Sequence, residues 1–247
     1  MTTLDLRRQT YGTFLGLATP LSAEIASLAG VDWVLLDLEH GASTEGEIGT
    51  TVVAARAYGV STLVRVESLS RIRIGRALDA GAAGVMIPQI ANADDVREAV
   101  TYMSYPPHGK RGVATYNRSA AWGKDLSTLQ AGRSAACIIQ IESKSALEDI
   151  DNIAAVDGVD VLFVGPLDLS FALGIPRDFS NPLFIEATAR VIAAAKAHGK
   201  VAGILAADAT AAIDLRNRGF EFIAIGSDST ILSSAITSII TQVKERS

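Results

Sequence analysis

The chain has 247 residues, of which 49% are hydrophobic, and a formal net charge of −5 at pH 7. This length and hydrophobic content exclude an intrinsically disordered chain and are sufficient for one large core. The acidic balance excludes a broad basic surface, so we expect no nucleic acid as the main partner, and a small anionic substrate would need a local group of cations.

The sequence also indicates the cellular compartment in which the protein resides. The single cysteine, Cys137, excludes an intramolecular disulfide, which suits a reducing environment. Residues 1–10 lack the apolar segment of a secretory signal, and no apolar run approaches the ~20 residues that span a bilayer. The sequence therefore predicts a cytoplasmic protein that does not associate with a membrane.

Short apolar runs alternate with amphipathic segments along the whole chain, which is typical of repeated βα units. The predicted strands are 11–17, 33–39, 62–67, 84–90, 137–142, 161–165, 201–205 and 220–225. Helical spacing is clearest over 47–58, 93–102, 145–155, 185–197 and 230–243. Units repeated without a break in composition favour one closed (β/α)8 barrel domain over 1–247 rather than an open, doubly wound sheet.

Two segments depart from this regular pattern. Residues 106–136 form an unusually long connection, and such connections are uncommon unless they serve a site or an interface. We expect a loop with an extra helix over the active face, where Lys110, Arg111 and Arg118 could attract an anionic substrate; the alternative is a surface loop plus an extra helix without a role in the site. The C-terminal helix within 228–247 has a wide apolar face, which either packs on its own barrel or is exchanged with a neighbouring subunit.

Polar residues follow several predicted strands at their carboxyl ends, where barrel enzymes place their active sites. These residues are Asp37, Glu39 and His40 after the second strand, Arg65 and Glu67 in the third, Gln140 and Glu142 in the fifth, and Asp168 after the sixth. Residues two apart in a strand share a face, so Gln140 and Glu142 point the same way. Charges at the end of a barrel are costly to bury without partners, so we expect one ionic site.

Glu142 and Asp168, at neighbouring strand ends, predict a site for a hard divalent cation. Two carboxylates with open positions suit Mg²⁺ or Mn²⁺, and a chain with only three histidines is a poor candidate for a three-histidine zinc site. The alternatives are a salt bridge between Glu142 and Arg65 and a helix cap by Asp168. No lysine lies within an apolar strand, which argues against Schiff-base chemistry.

Several motifs together resemble the HpcH/HpaI aldolase family, in particular its metal-dependent pyruvate aldolases. They are residues 36–41, 64–66, 106–113, 140–142 and 163–170. The resemblance implies a barrel of the PEP/pyruvate-binding type and reversible aldol cleavage of 4-hydroxy-2-oxo acids to pyruvate and an aldehyde. It further implies a divalent cation (Mg²⁺, Mn²⁺ or Co²⁺), a homohexamer, and a role in the catabolism of aromatic compounds or sugar acids.

The resemblance also implies the principal roles in the site. Glu142 and Asp168 match the metal ligands, His40 the catalytic base, and Arg65 the cation that stabilises the enolate. Asp79 matches the carboxylate that partners the base, although the end of its predicted helix ordinarily faces the other end of the barrel.

The resemblance also assigns residues to the substrate pocket, and it leaves more than one candidate for the group that orients the base. Gln140, Gly165, Asp168 and the backbone at Leu167 match pyruvate-binding positions. Leu167 stands where relatives often have alanine, so its side chain could narrow the pocket. Leu205, at the end of the seventh strand, is a candidate wall of the aldehyde pocket. Asp37 and Glu39 are alternative groups for orienting His40.

Two other functions compete with this interpretation. One is the acyl-CoA branch of the same superfamily, which cleaves malyl-CoA or citryl-CoA analogues; the short chain and His40 favour free keto acids. The other is a non-catalytic barrel that binds a keto acid, against which the intact set of His40, Arg65, Glu142 and Asp168 argues.

Overall fold

The computed structural model describes residues 4–130 and 135–245, and its centre is a closed barrel of eight parallel strands in sequence order. The strands are β1 (Thr10–Leu15), β2 (Trp33–Asp37), β3 (Ser61–Arg65), β4 (Gly84–Ile87), β5 (Ala136–Ile141), β6 (Val161–Val164), β7 (Val201–Ala206) and β8 (Phe222–Ser227). The barrel closes where β8 pairs with β1. The predicted single-domain (β/α)8 fold is thus confirmed.

Helices connect the strands on the outside of the barrel. They are α1 (Pro20–Leu28), α2 (Glu45–Arg56), α3 (Arg71–Asp79), α4 (Ala93–Met103), α5 (Ser127–Gln130), α6 (Lys144–Glu148), α7 (Ile150–Ala154), α8 (Pro166–Ala172), α9 (Pro182–Ala197), α10 (Ala209–Arg218) and α11 (Asp228–Glu245), with a 3-10 segment at Arg118–Gly123. Several begin at side-chain caps that satisfy first-turn N–H groups; Thr44 and Glu47, for example, form a reciprocal capping box at α2.

The helix predicted over 145–155 is divided into α6 and α7 at Asp149. The carboxylate of Asp149 accepts hydrogen bonds from the backbone N–H of Ala93, at 2.7 Å, and from the side chain of Asn152, at 2.6 Å. The backbone of Asp149, with φ −93° and ψ 13°, departs from the helical conformation at this point and ends α6.

The apolar residues form two layers. Aromatic and aliphatic side chains fill the barrel itself, and Trp33 stacks on Phe222 with ring centroids 4.2 Å apart. A larger, mostly aliphatic layer lies between the strands and the surrounding helices. Because every strand is covered on both faces, its apolar sequence is continuous, as parallel sheets require.

The described part of segment 106–136 lies away from the predicted position over the active face. Arg111 donates to Asp79 at the end of α3, at 2.7 Å, and Arg118 lines a cavity with Val60, Thr62 and Ala83 at the amino ends of β3 and β4. A connection from a helix to the next strand returns to the amino end of the barrel, which explains this placement. Arg111 and Arg118 therefore contact the amino end of the barrel of their own chain; residues 131–134 lie outside the described residues.

The C-terminal helix α11 has no buried residue. Its six large apolar side chains, Ile231, Leu232, Ile236, Ile239, Ile240 and Val243, are between 48% and 60% exposed. The face therefore does not pack on its own barrel, which leaves exchange with a neighbouring subunit as the remaining prediction. None of the helices in the described residues is long and apolar enough to cross a membrane.

The tight filling of the barrel predicts the effect of a single methyl group. A Cβ atom added at Gly12 would lie 2.1 Å from Cδ2 of Trp33, whereas one added at Gly75 in α3 would meet nothing within 4 Å. Gly12→Ala should lower the free energy of unfolding by about 1 to 3 kcal/mol through overpacking. Gly75→Ala should raise it by about 0.5 to 1 kcal/mol. Urea unfolding of both variants measures the difference, and equal stabilities would contradict it.

Candidate active site

A buried ion pair between Arg65 and Asp37 forms the base of the candidate site. The two residues are register partners at the carboxyl ends of β3 and β2. Nε and Nη2 of Arg65 donate to the two carboxylate oxygens of Asp37 at 2.9 Å and 2.6 Å. The guanidinium also lies 5.2 Å from the ring centroid of Phe14. This bidentate geometry holds the plane of the guanidinium in one orientation.

Glu39 connects Arg65 with the loop after β4. One carboxylate oxygen, Oε2, lies 3.1 Å from Nη1 of Arg65, and Oε1 accepts a hydrogen bond of 2.9 Å from the side-chain amide of Gln89. The backbone N–H of Gln89 in turn donates to Oε1 of Glu142 at 2.6 Å. Gln89 therefore contacts a carboxylate on each side of the site.

Gln140 connects Arg65 with Glu142 from inside the barrel. Its carbonyl oxygen accepts from Nη1 of Arg65 at 3.4 Å, and its amide donates to Oε2 of Glu142. Gln140 and Glu142 therefore share a face, as the alternation predicted. A Cβ atom at Gly165 would lie 2.8 Å from Nε2 of Gln140 and 2.9 Å from Oε2 of Glu142, so a side chain at this position would displace the pair.

The electrostatics distinguish the two buried carboxylates. Burial alone would raise the pKa of Asp37, but the hydrogen bonds and positive charge of Arg65 outweigh it and lower that pKa. The pKa of Glu142 is raised, because burial and the negative charges of Asp168 and Glu39 outweigh its hydrogen bonds from Gln89 and Gln140. Asp37 is thus neutralised by a cation, and Glu142 is not.

The surroundings of Glu142 fit a divalent cation. In residues 4–130 and 135–245 Glu142 forms no salt bridge, and it shares its end of the barrel with the negative charges of Asp168 and Glu39. A cation would relieve this excess of negative charge. No group of three potential His, Cys, Asp or Glu ligands occurs in that part of the chain. A cation at Glu142 and Asp168 would therefore complete its coordination with water or substrate oxygens, as Mg²⁺ and Mn²⁺ do.

His40 lies at the rim of the site. Its side chain is 67% exposed, and Nε2 lies 3.9 Å from Oε2 of Glu39. Its backbone N–H donates to Oδ1 of Asp37 at 3.3 Å. Asp37 therefore holds the backbone of His40, while Glu39 is the carboxylate nearest its ring in these contacts.

Asp79 is not brought to His40 within the described chain. Its carboxylate accepts from Arg111 at 2.7 Å, where α3 ends before the amino end of β4. Glu67, which shares a strand face with Arg65 in the sequence pattern, lies 3.6 Å from Arg73 instead. The predicted ionic site is therefore smaller than the sequence pattern indicated.

The remaining predicted pocket residues surround the carboxyl end of the barrel. Leu205, in β7, is partly buried against the core inside the barrel. Leu167 lies in the first turn of α8, and its side chain is 49% exposed. Its exposure makes Leu167 a residue of the rim rather than of the core. Their roles in substrate binding stay predictions.

Sequence reasoning missed two features of this site. It did not predict that Arg65 would pair with Asp37; the signal was their matching positions at the ends of neighbouring parallel strands. It also missed Gln89, because the fourth predicted strand showed no charged residue at its end. The available signal was a polar residue directly after Pro88, near the end of the predicted strand 84–90.

Comparisons with known proteins extend over nearly the whole barrel. The family described as HpcH/HpaI aldolase/citrate lyase matches residues 10–235. The 2-keto-3-deoxy-L-rhamnonate aldolase of Salmonella dublin is 37% identical over 235 residues, which cover 94% of this chain and 88% of that protein. A family protein from Burkholderia cenocepacia J2315 has a TM-score of 0.92 at 36% identity, with 97% of each chain covered. An HpcH/HpaI aldolase from Desulfitobacterium hafniense DCB-2 has a TM-score of 0.89 at 35% identity, covering 96% of this chain and 93% of that one.

Removal of Asp37 should destabilise the protein strongly, because it would leave Arg65 buried without its bidentate partner. Asp37→Ala should lower the free energy of unfolding by about 3 to 5 kcal/mol at pH 7. Asp5→Ala, which removes an exposed partner of Arg7, should change it far less, because solvent screens an exposed ion pair.

The same pair predicts a pH dependence. A lowered folded-state pKa contributes stability above the ordinary value of 3.8 and loses it as the pH falls through the folded value. The difference between wild type and Asp37→Ala in urea unfolding should therefore shrink below pH 3.8. A difference that is constant from pH 7 to pH 2 would contradict the linkage.

Proposed function

We propose that this chain, which belongs to the HpcH/HpaI aldolase/citrate lyase family, cleaves 4-hydroxy-2-oxo acids reversibly to pyruvate and an aldehyde. The chain is a lyase of the aldolase type, and one observation supports the specific reaction. Arg65, rigidly held by Asp37, stands at the same end of the barrel as the carboxylate of Glu142, which has no cationic partner in the described chain. The fixed charge of Arg65, beside the proposed metal site at Glu142, suits a substrate in which an enolate oxygen forms next to a carboxylate.

The reaction breaks the bond between C3 and C4 of the substrate. The electron pair of that bond remains on the pyruvate fragment as its enolate, and the C4 hydroxyl loses a proton as the aldehyde forms. Arg65 uses three N–H groups on Asp37 and Gln140, and Nη1 also lies 3.1 Å from Oε2 of Glu39. One N–H of Nη2 has no partner among these contacts. That group would donate to the enolate oxygen from a guanidinium that Asp37 already holds in place.

His40 would accept the proton of the C4 hydroxyl. Its exposed ring can reach a bound substrate, and its Nε2 lies 3.9 Å from Oε2 of Glu39. In the reverse direction the same ring would return the proton to the aldehyde oxygen.

Glu142 and Asp168 would hold the divalent cation, which is Mg²⁺, Mn²⁺ or Co²⁺. When bound, the cation supplies positive charge for the keto and carboxylate oxygens of the substrate. Because Gly165 has no side chain, Gln140 and Glu142 can lie close to the end of β6. The lysines of the chain, Lys110, Lys124, Lys144, Lys196, Lys200 and Lys244, are all at least partly exposed. This exposure disfavours the desolvated lysine that a Schiff-base aldolase needs.

The substrate pocket would extend from Gly165 to Leu205. The backbone N–H groups in the first turn of α8, including that of Leu167, have no acceptor within the helix and could bind the substrate carboxylate. Leu205 would contact the aldehyde fragment and limit its size. A 2-keto-3-deoxy sugar acid is the first substrate to test, since the Salmonella dublin relative is named for one.

The assembly proposed for this enzyme is a homohexamer. The exposed apolar face of α11 and the exposed Leu21, Ile25 and Leu28 of α1 are surfaces that a partner subunit would cover. Asp79 could assist a base only across such an interface, since within one chain its carboxylate pairs with Arg111.

Substitution of the base tests the proposed chemistry directly. His40→Ala should lower the kcat for pyruvate release from a panel of 4-hydroxy-2-oxo acids by about 10² to 10⁴, the usual contribution of a positioned acid–base group. His198→Ala is the matched control, because His198 is an exposed residue at the end of α9. Wild-type turnover in His40→Ala would refute the assignment of the base.

Removal of the cation tests the class of aldolase. EDTA should abolish pyruvate release, and Mn²⁺ or Mg²⁺ should restore it. Activity that survives EDTA and is trapped by borohydride would instead indicate a Schiff base.

The same assay also tests the two competing functions. A comparison with and without acyl-CoA substrates separates the proposed reaction from acyl-CoA cleavage. Binding without turnover across the panel would favour a keto-acid-binding barrel.

A further inference from the structure

We propose that Gln89 is a positioning residue, which holds the cation ligand Glu142 and the carboxylate Glu39 in fixed orientations at the two sides of the site. The inference rests on the proposed function for its effect on turnover, but not for its effect on cation binding. Gln89 lies two residues beyond β4 and belongs to neither the predicted ligands nor the predicted base.

The backbone of Gln89 controls one of these contacts. Its φ angle is +57°, a left-handed conformation that residues other than glycine rarely adopt. In this conformation its N–H lies 2.6 Å from Oε1 of Glu142. Since Oε2 accepts from Gln140, both oxygens of Glu142 are held by the protein. The carboxylate would therefore meet a cation in one orientation.

The side chain of Gln89 controls the other contact. Nε2 donates to Oε1 of Glu39 at 2.9 Å. The second oxygen, Oε2, lies near Arg65 and His40, at 3.1 Å and 3.9 Å, and accepts no hydrogen bond in the described residues. Gln89 is therefore the side chain that fixes the rotation of the Glu39 carboxylate. A rotated carboxylate would change the charge presented to both Arg65 and His40.

Together these contacts close a ring around the site. The ring runs through Arg65, Glu39, Gln89, Glu142 and Gln140 and returns to Arg65, with four hydrogen bonds and one ion pair. Its members come from the ends of β2, β3, β4 and β5. The strained backbone of Gln89 lies between the two carboxylates of the ring, Glu39 and Glu142, and strain of this kind is concentrated at functional sites.

The backbone and the side chain of Gln89 can be tested separately. Gln89→Gly keeps the left-handed backbone without its steric cost and removes the side chain that carries the amide donor. It should lower kcat about 10-fold, the lower end of the range for a group that supports a ligand or catalytic residue. The dissociation constant for Mn²⁺, measured by isothermal titration calorimetry, should stay within about twofold of wild type.

A β-branched residue should have the complementary effect. Gln89→Val cannot hold the left-handed backbone without strain, so the N–H should move away from Glu142. Its Mn²⁺ affinity should fall about 10-fold or more relative to Gln89→Gly. Circular dichroism and urea unfolding establish that both variants are folded.

Exchange of the two partners provides a rescue. Gln89→Glu places a second carboxylate against Glu39 and should lower kcat further than Gln89→Gly, with KM changed less. Adding Glu39→Gln restores a donor and an acceptor between the two positions and should recover part of that loss. Gln9→Met is the matched control, because it deletes a side-chain amide that donates to the carbonyl of Phe220 at the opposite end of the barrel. Its kcat and Mn²⁺ affinity should equal those of wild type.

The outcomes distinguish this inference from the proposed reaction. Equal Mn²⁺ affinity in Gln89→Gly and Gln89→Val, or a double variant no more active than Gln89→Glu, would overturn the role of Gln89. A wild-type protein that does not bind Mn²⁺ would overturn it as well. A wild-type protein that binds Mn²⁺ but releases no pyruvate would refute the proposed reaction, while the affinities would still decide whether Gln89 positions Glu142.

Discussion

The buried pair of Arg65 and Asp37 is the interaction on which the rest of the site depends. A guanidinium with so little exposure is stable only if its charge is neutralised, and a bidentate carboxylate on the adjacent strand does this with the least conformational freedom. Since Asp37 also accepts the backbone N–H groups of Glu39 and His40, the pair fixes the loop that carries the proposed base. One ion pair therefore holds both Arg65, the proposed cation for the enolate, and the loop of His40, the proposed base.

The distribution of charge around that pair separates the two halves of the site. The negative charge of Asp37 is compensated within the protein, whereas Glu142 remains near two other carboxylates and has a raised pKa. This unbalanced charge supports the proposed binding of an external cation, and the uncharged amides of Gln140 and Gln89 orient the carboxylate of Glu142 without neutralising it. The neutral residues of the ring thus determine the orientation of Glu142, while the charged residues determine the electrostatic potential around it.

The two ends of the barrel have different roles. The carboxyl ends of the strands carry the ring of polar contacts, while the amino ends carry the ion pair of Asp79 and Arg111 and the packing of Arg118. The long connection after α4 belongs to the amino end because each helix must return there to begin the next strand. Its charges therefore support the structure at that end, and any influence on a substrate would require a second subunit.

The sequence by itself determined the fold, because eight apolar runs that alternate with amphipathic segments have few other ways to bury their surface. It also determined which strand ends carry chemistry, and the alternation correctly placed Gln140 and Glu142 on one face. Only the tertiary structure decided the partners: Arg65 pairs with Asp37 and not with Glu142, Asp79 lies away from His40, and Gln89 joins two carboxylates. Periodicity specifies the direction in which a side chain points along one strand, whereas the register between strands and the backbone beyond their ends decide which side chains meet.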